Sequence, residues 1–310
     1  MGSRLTIRTP RDYRFIRDAC SYGYFLLAPN VWDPNRKTLS RPLNLADGVA
    51  TLTIAQPDNR RGSPLTATAD RALTRAEQGQ ARRQITRMLR LDDESVADFH
   101  RVDPRWKRSG KARLFRSPTP FEDIIKTVTS CNVTWPSTVN MNKRLCEVVC
   151  PAFPTPGQMA RKRPATLRAR CSVGYRDQRM VDLARMAVRG ELDLDRLEDH
   201  TIGDDDIHQT LLSLPGIGPY AGANIMMLLG RYSRLAIDTE TIRHGKAVLG
   251  YKGDERVIRK KLEQHYAPFG EHRFRSYWFE VWAFYEGRQG PAHTWAPRAV
   301  ASAFTASNLK

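Results

Sequence analysis

The chain has 310 residues, 41% of them apolar, which is enough for a large packed core and for two domains. Its 50 lysines and arginines against 33 acidic residues give a formal net charge of +17, so a polyanion is the expected class of partner. No apolar run reaches the length of a membrane span, and the start, Met1-Gly2-Ser3-Arg4, lacks a signal-peptide core, so a soluble intracellular protein without membrane partners is expected. The cysteines (Cys20, Cys131, Cys146, Cys150 and Cys171) form no CxxC pair and show no metal-ligand spacing, and an odd count argues against a disulfide framework.

Residues 13–69 read as strands and turns. Residues 22–28 are aromatic and apolar, and Pro29-Asn30 and Asp33-Pro34-Asn35 then punctuate the chain. Residues 39–45 and 49–55 flank Asp47-Gly48, a hairpin signal, and residues 65–69 make a further short strand. This predicts a β-rich N-terminal domain over residues 1–100, mainly an antiparallel sheet with one or two helices. The pattern then turns helical: Ile85, Met88 and Leu89 share a face within residues 81–91. After a basic connection over 103–120, Phe121, Ile124, Ile125 and Val128 repeat at helical spacing, and this run ends at Cys131-Asn132-Val133-Thr134-Trp135-Pro136. Further helices are predicted over 138–149, 166–170, 179–189, 192–197, 205–213, 221–229, 242–248, 255–266 and 277–285. Residues 101–290 thus form a mainly α-helical domain in two parts, and residues 291–310 an irregular tail.

Two stretches concentrate positive charge. Residues 101–116 hold Arg101, Arg105, Lys107, Arg108, Lys111, Arg113 and Arg116 against Asp103; residues 161–185 hold eight basic residues against Asp177 and Asp182. Between two helical runs lies Leu214-Pro215-Gly216-Ile217-Gly218-Pro219-Tyr220. A helix N-terminus carries unpaired N–H donors, and glycines let an anion approach the backbone, so this hairpin is a candidate phosphate clamp. Asp238 follows about twenty residues later, directly before a helical run with Thr241 three positions on, where an N-cap would sit. Hydrogen bonds and the helix terminus there are expected to lower its pKa and keep it ionised.

The hairpin with its downstream Asp238 resembles the helix-hairpin-helix DNA glycosylases, over roughly residues 39–285. Ser130-Cys131-Asn132 looks like the loop of that family that enters the DNA minor groove, and Gly174-Tyr175-Arg176 like its aromatic-plus-arginine wedge. The resemblance implies an α+β fold, an N-terminal antiparallel β-sheet followed by the helical catalytic domain, with its hairpin over residues 205–230. It implies a DNA repair enzyme that flips a damaged base out of double-stranded DNA and breaks its N-glycosidic bond, acting as a monomer in the bacterial nucleoid or the eukaryotic nucleus. Asp238 would be catalytic. Gly216, Ile217, Gly218, Tyr220 and His244 would hold the DNA backbone, and Asn132, Tyr175 and Arg176 would fill the space left by the base. Trp135, Tyr220 and Trp278 would line the base pocket.

Family members that also cut the strand use a lysine where this chain has Tyr220, and a phenol cannot act as the amine nucleophile, so simple hydrolysis is expected. Lys246 lies one helix further on. No cysteine follows Cys171, so the iron–sulfur cluster of other branches has no ligands and no cofactor is expected. Ser137 and Glu240 stand where the 8-oxoguanine branch has an arginine and a histidine. By exclusion, the resemblance favours an alkylated purine such as 3-methyladenine. The alternatives are another lesion such as 8-oxoguanine or a deaminated base, a non-catalytic damaged-DNA-binding protein, and a nuclease or abasic-site lyase.

Overall fold

The structure, a computed structural model, describes residues 2–295; of the expected tail, residues 296–310 lie outside the described residues. Five strands form one antiparallel sheet: β1 (Arg4–Ile7), β2 (Val31–Asp33), β3 (Thr38–Leu45), β4 (Gly48–Ala55) and β5 (Leu65–Ala69), in spatial order β1-β5-β4-β3-β2. Alternation sets the inner face. Leu39, Arg41 and Leu43 of β3 stand opposite Ile54, Leu52 and Ala50 of β4, and all six are buried. Gly48, at φ 119°, closes the β3–β4 hairpin in a backbone region that side chains disfavour. β1 lies before the stretch that reads as strands in the sequence, and it is recruited as an edge by pairing with β5. The aromatic run after residue 21 is a buried 3-10 turn, Gly23–Leu26, because it is enclosed on every side instead of presenting alternate faces.

The remainder is helical, and the apolar core falls into two clusters. The first joins the inner face of the sheet and the helix Arg75–Leu89 to the C-terminal helices Thr239–Ala247, Glu255–Tyr266 and Arg273–Gln289. The second is built from residues 121–229. The helix Pro219–Leu229 serves both, giving Ala223, Met227 and Leu228 to the first and Ile225, Met226 and Leu229 to the second. Among the described residues no helix is long and apolar enough to cross a membrane.

The helix Pro120–Ser130 is buried nearly all round. Thr119 caps it by accepting from Glu122 N, and its apolar residues Phe121, Ile124, Ile125 and Val128 enter the second cluster. Its charged residues are buried too, and they latch the helix to the N-terminal part. Glu122 accepts from Arg41 Nη2 at 2.6 Å and forms an ion pair with Lys126 Nζ at 2.7 Å, while Asp123 accepts from Arg87 Nη1 and Ser117 N, each at 2.8 Å. Burial pushes Glu122 up, but Arg41 and Lys126 outweigh it and hold the carboxyl below its usual range. Removing Glu122 would leave two buried cations without their counter-charge, so Glu122→Ala should lose about 3–5 kcal/mol of unfolding free energy. Denaturant titration checks this, with Arg36→Ala, at an exposed pair with Asp33, as the control that should change little.

Candidate active site

The hairpin is anchored from below and open above. Leu214 and Ile217 are buried, whereas Gly216, Gly218 and Pro219 are exposed. Gly216 has φ 78°, and a Cβ there would lie 2.5 Å from Arg179 Cδ. Gly218 is the N-cap of Pro219–Leu229 and offers no side-chain cap; Pro219 has no N–H, so the free donors of the first turn begin at Tyr220. A Cβ at Gly218 would meet nothing within 4 Å, so the space over this helix end is open. Ile217 departs from the expectation of a backbone-binding residue. Its N–H donates to Leu214 O at 3.2 Å and its side chain is buried, so it pins the loop and leaves the outward donors to its neighbours.

Asp238 is the N-cap of Thr239–Ala247 in a reciprocal capping box. Its Oδ1 accepts from Thr241 N and Thr241 Oγ1, both at 2.9 Å, and its own N–H donates to Thr241 Oγ1 at 3.2 Å. Behind Thr241, Tyr277 OH lies 2.8 Å from the same hydroxyl. Contrary to expectation, the carboxyl is raised above the ordinary aspartate value: burial dominates, and Glu240 adds to it, over the lowering by the Thr241 and Glu240 donors. His244, expected at the DNA backbone, is fully buried one turn beyond Thr241. Its Nε2 lies 3.0 Å from Glu280 Oε1 and 3.3 Å from Tyr266 OH. A phosphate cannot reach it, because residues 241 and 244 share the inward face of the helix.

Two hollows meet at this carboxylate. One is a cavity of about 330 Å³ that brings together the three expected pocket residues, Trp135, Tyr220 and Trp278. Sequence reasoning missed Tyr22, Asn224, Tyr277 and Glu240 in its wall. Tyr22 packs 4.7 Å from the Trp278 ring and donates to Asn224 Oδ1 at 2.8 Å. The 3-10 turn presents Tyr22 and Tyr24, with Gly23 so close to Trp135 that a Cβ would stand 3.0 Å from its ring. The one signal available beforehand was Asn224, a lone amide in an apolar helix. Of the other aromatics of the last helix, Phe279 is core, and Phe284 lies under the guanidinium groups of Arg243 and Arg288.

The second hollow is an open cleft of about 930 Å³ that gathers Asn132, Tyr175, Arg179, Gly216, Gly218 and Arg259. Asn132 is exposed at φ 53°, just past the end of Pro120–Ser130, beside an exposed Val133. Tyr175 is 51% exposed, and the guanidinium groups of Arg176 and Arg179 lie 4.5 Å and 5.0 Å from its ring centroid. Arg176, expected to act with it, is itself buried: Nε donates to Val128 O at 3.1 Å and Nη2 to Cys131 O. It satisfies orphan carbonyls at the end of that helix and so holds the Asn132 loop from behind. Ser130, Val133, Thr134, Tyr220, Asp238 and Thr239 border both hollows. Asp238 therefore stands at the opening from the cleft into the aromatic cavity.

The first basic stretch is largely spent inside the protein. Arg101 pairs with Asp98, Arg105 with Asp103 and Glu280, Lys111 with Glu286, Arg113 with Asp12, and Arg116 with Glu198. Of this stretch only Lys107 and Arg108 make no ion pair among the described residues. In the second stretch Arg179 reaches the cleft. Among the described residues no group of three or more His, Cys, Asp or Glu is placed to hold a metal ion.

Solved structures with the same architecture include a 3-methyladenine DNA glycosylase from Archaeoglobus fulgidus, at TM-score 0.68 and 16% identity over 90% of this chain and 98% of that one. The fold is that of the helix-hairpin-helix DNA glycosylases. The 8-oxoguanine glycosylase/lyase of Clostridium acetobutylicum shares it at TM-score 0.64 and 15% identity, over 90% of this chain and 97% of that one in its apo-form. Its complex with double-stranded DNA containing cytosine opposite 8-oxoguanine matches at the same TM-score and identity over 92% and 98%. No protein-family model and no curated protein matches the sequence.

The site makes a direct electrostatic prediction. Carbon-13 NMR of the Asp238 carboxyl should titrate above the usual aspartate value of about 3.9. Thr241→Val, which removes the hydroxyl donor, should push the midpoint higher still; an unchanged midpoint would show that the hydroxyl does not hold the charge.

Proposed function

We propose that the protein excises a damaged base from double-stranded DNA by hydrolysing its N-glycosidic bond. The observation that carries this reading is Asp238 at the junction of an aromatic cavity and an open cleft lined by backbone donors and arginine. A cavity of this size lies within the usual range for ligand pockets, and its walls of Trp135, Tyr220 and Trp278 suit a planar base lifted out of the stack. Extrusion costs a few kcal/mol. Tyr175 and Asn132, at the cleft, would occupy the gap, and the donors over Gly218 and Tyr220 would hold a phosphate beside the lesion.

With the base in the cavity, its sugar would lie at the mouth against Asp238. As the C1′–N bond breaks, the bonding pair leaves with the base and positive charge grows on the deoxyribose, which the carboxylate stabilises. Water then attacks C1′ and gives a proton to Asp238, leaving an abasic site. The raised pKa of Asp238 suits that last step, because a better base takes the proton more readily. Tyr220 supports hydrolysis without strand cleavage, since no amine stands in its place, and exposed Lys246 borders neither hollow. An alkylated purine such as 3-methyladenine fits this pocket best, because an electron-poor base gains most from stacking on aromatic faces.

Oligonucleotides carrying single lesions, incubated with the protein and then treated with or without alkali, test the reading. Strand breaks only after alkali are expected. Breaks without alkali, or a borohydride-trapped protein–DNA complex, would sink the hydrolytic mechanism. Asp238→Asn should retain DNA binding and lose excision by about 10²-fold or more. It should not lose stability at pH 7: a carboxyl whose pKa rises on folding destabilises the fold when ionised, and asparagine caps a helix about as well. For the same reason the acid limb of kcat/KM should fall at a pH above the ordinary aspartate value, with activity rising as Asp238 ionises. Gly218→Ala should fold normally and bind DNA more weakly, as measured by fluorescence anisotropy, because the added methyl enters the open space over the helix end.

A further inference from the structure

We infer that the hollow where residues 14–17, 59–61 and 108–110 converge seats a phosphate of the DNA backbone, at a contact separate from the cleft. This rests on DNA as the partner and not on the excision of a base.

The hollow has a volume of about 250 Å³, and its wall holds Arg14, Arg17, Arg61 and Arg108 and no carboxylate. None of its residues borders the cleft or the aromatic cavity. Arg17 is committed: it donates to Asp18 Oδ1 and Oδ2 at 2.8 and 2.7 Å, to Asp12 O at 2.8 Å and to Ser109 O at 3.3 Å. Arg14, Arg61 and Arg108 are exposed, and their side chains make no ion pair or hydrogen bond among the described residues. The acids beside them, Asp12 and Asp18, already pair with Arg113 and Arg17. Three positive charges gathered without a counter-charge repel one another. A phosphate accepts from several guanidinium groups at once and turns that repulsion into charge-assisted hydrogen bonds.

The three segments are locked together. Gly62 N donates to Tyr13 O at 2.8 Å, and Gly62, at φ 76°, packs so closely that a Cβ would stand 2.9 Å from Arg11 O. Gln56 ties the same turn to the first segment, accepting from Phe15 N at 2.9 Å and donating to Ser63 O at 2.7 Å. On the other side Gly110, at φ 72°, lies where a Cβ would collide with the Arg17 guanidinium. The arginines are therefore carried on a fixed frame, and little ordering remains to be done when an anion arrives.

The rest of the wall is Asn59, Ser109 and Gly110, with no aromatic or aliphatic side chain to hold a base or a sugar. Charge without a reading surface suits a backbone phosphate, which is alike in every sequence, better than a free nucleotide. DNA seated there is held whatever its bases, by the salt-sensitive part of the affinity.

Two measurements on the full chain test the seat. At constant ionic strength, inorganic phosphate should move the amide NMR signals of Gly62 and Gly110 saturably, and the double variant Arg61→Gln/Arg108→Gln should abolish the shift. Arg75→Gln/Arg83→Gln, which removes the same charge from exposed positions on the helix Arg75–Leu89, should leave it intact. A long undamaged duplex should move the same two signals. The slope of log affinity against log salt, read by fluorescence anisotropy, should shrink by about 2 in Arg61→Gln/Arg108→Gln and by distinctly less in the control pair. Equal slopes in the two double variants, with circular dichroism matching the wild type, would overturn the seat. Signals that phosphate moves and the duplex leaves in place would overturn the assignment to DNA in favour of a free phosphate compound. A wild type that releases no base from damaged duplexes would refute excision alone, because undamaged DNA reads this contact by itself.

Discussion

Everything at the site depends on how the helix Pro120–Ser130 is fastened. It lies between the two apolar clusters, and its charged side chains point where solvent would normally be. Glu122, Lys126 and Asp123 are buried against Arg41 of β3 and Arg87 of the helix Arg75–Leu89. Such pairs repay desolvation only with close geometry, so they tolerate little displacement. Their contribution is therefore one of position. The end of this helix delivers Ser130 to the cavity wall and Asn132 to the cleft, and Arg176 closes its last carbonyls from the far side.

A second constraint acts on Asp238. A helix N-cap supplies donors that favour its charge, whereas burial disfavours it, and here burial wins. The result is a carboxylate fixed in direction by Thr241 yet more basic than an exposed one. Those two properties usually trade against each other, because the bonds that orient a carboxylate also acidify it. The hydroxyl of Thr241, itself backed by Tyr277 from the last helix, links the orientation of Asp238 to the aromatic wall.

The cavity itself is a product of long-range closure. Its wall draws on the 3-10 turn Gly23–Leu26, the start of Trp135–Val148, the hairpin helix, the helix after Asp238 and the last helix. The first and last of these belong to one apolar cluster, so the C-terminal helices return to the N-terminal sheet and close the aromatic cavity from behind. Fold likeness to glycosylases of about 15% identity is consistent with this: packing positions conserve an architecture while the pocket lining is free to differ.

Local chemistry was legible in the sequence. The alternation of residues 39–55 revealed the β3–β4 hairpin, helical periodicity revealed most helices, and Gly216, Gly218 and Asp238 stood out because tight turns and caps demand particular residues at fixed spacing. Placement was not legible. Nothing local distinguishes the buried His244 and Arg176 from exposed ones, or shows that Arg105, Lys111, Arg113 and Arg116 would each meet a carboxylate from elsewhere in the fold. Tyr22 and Tyr24 stand in a run that is aromatic and apolar throughout, and they become cavity wall only because Trp135, Asn224 and Trp278 converge on them from over a hundred residues away. The pKa of Asp238 followed the same rule: its hydrogen bonds were written in the capping pattern, but the desolvation that outweighs them depends on how the whole chain closes around it.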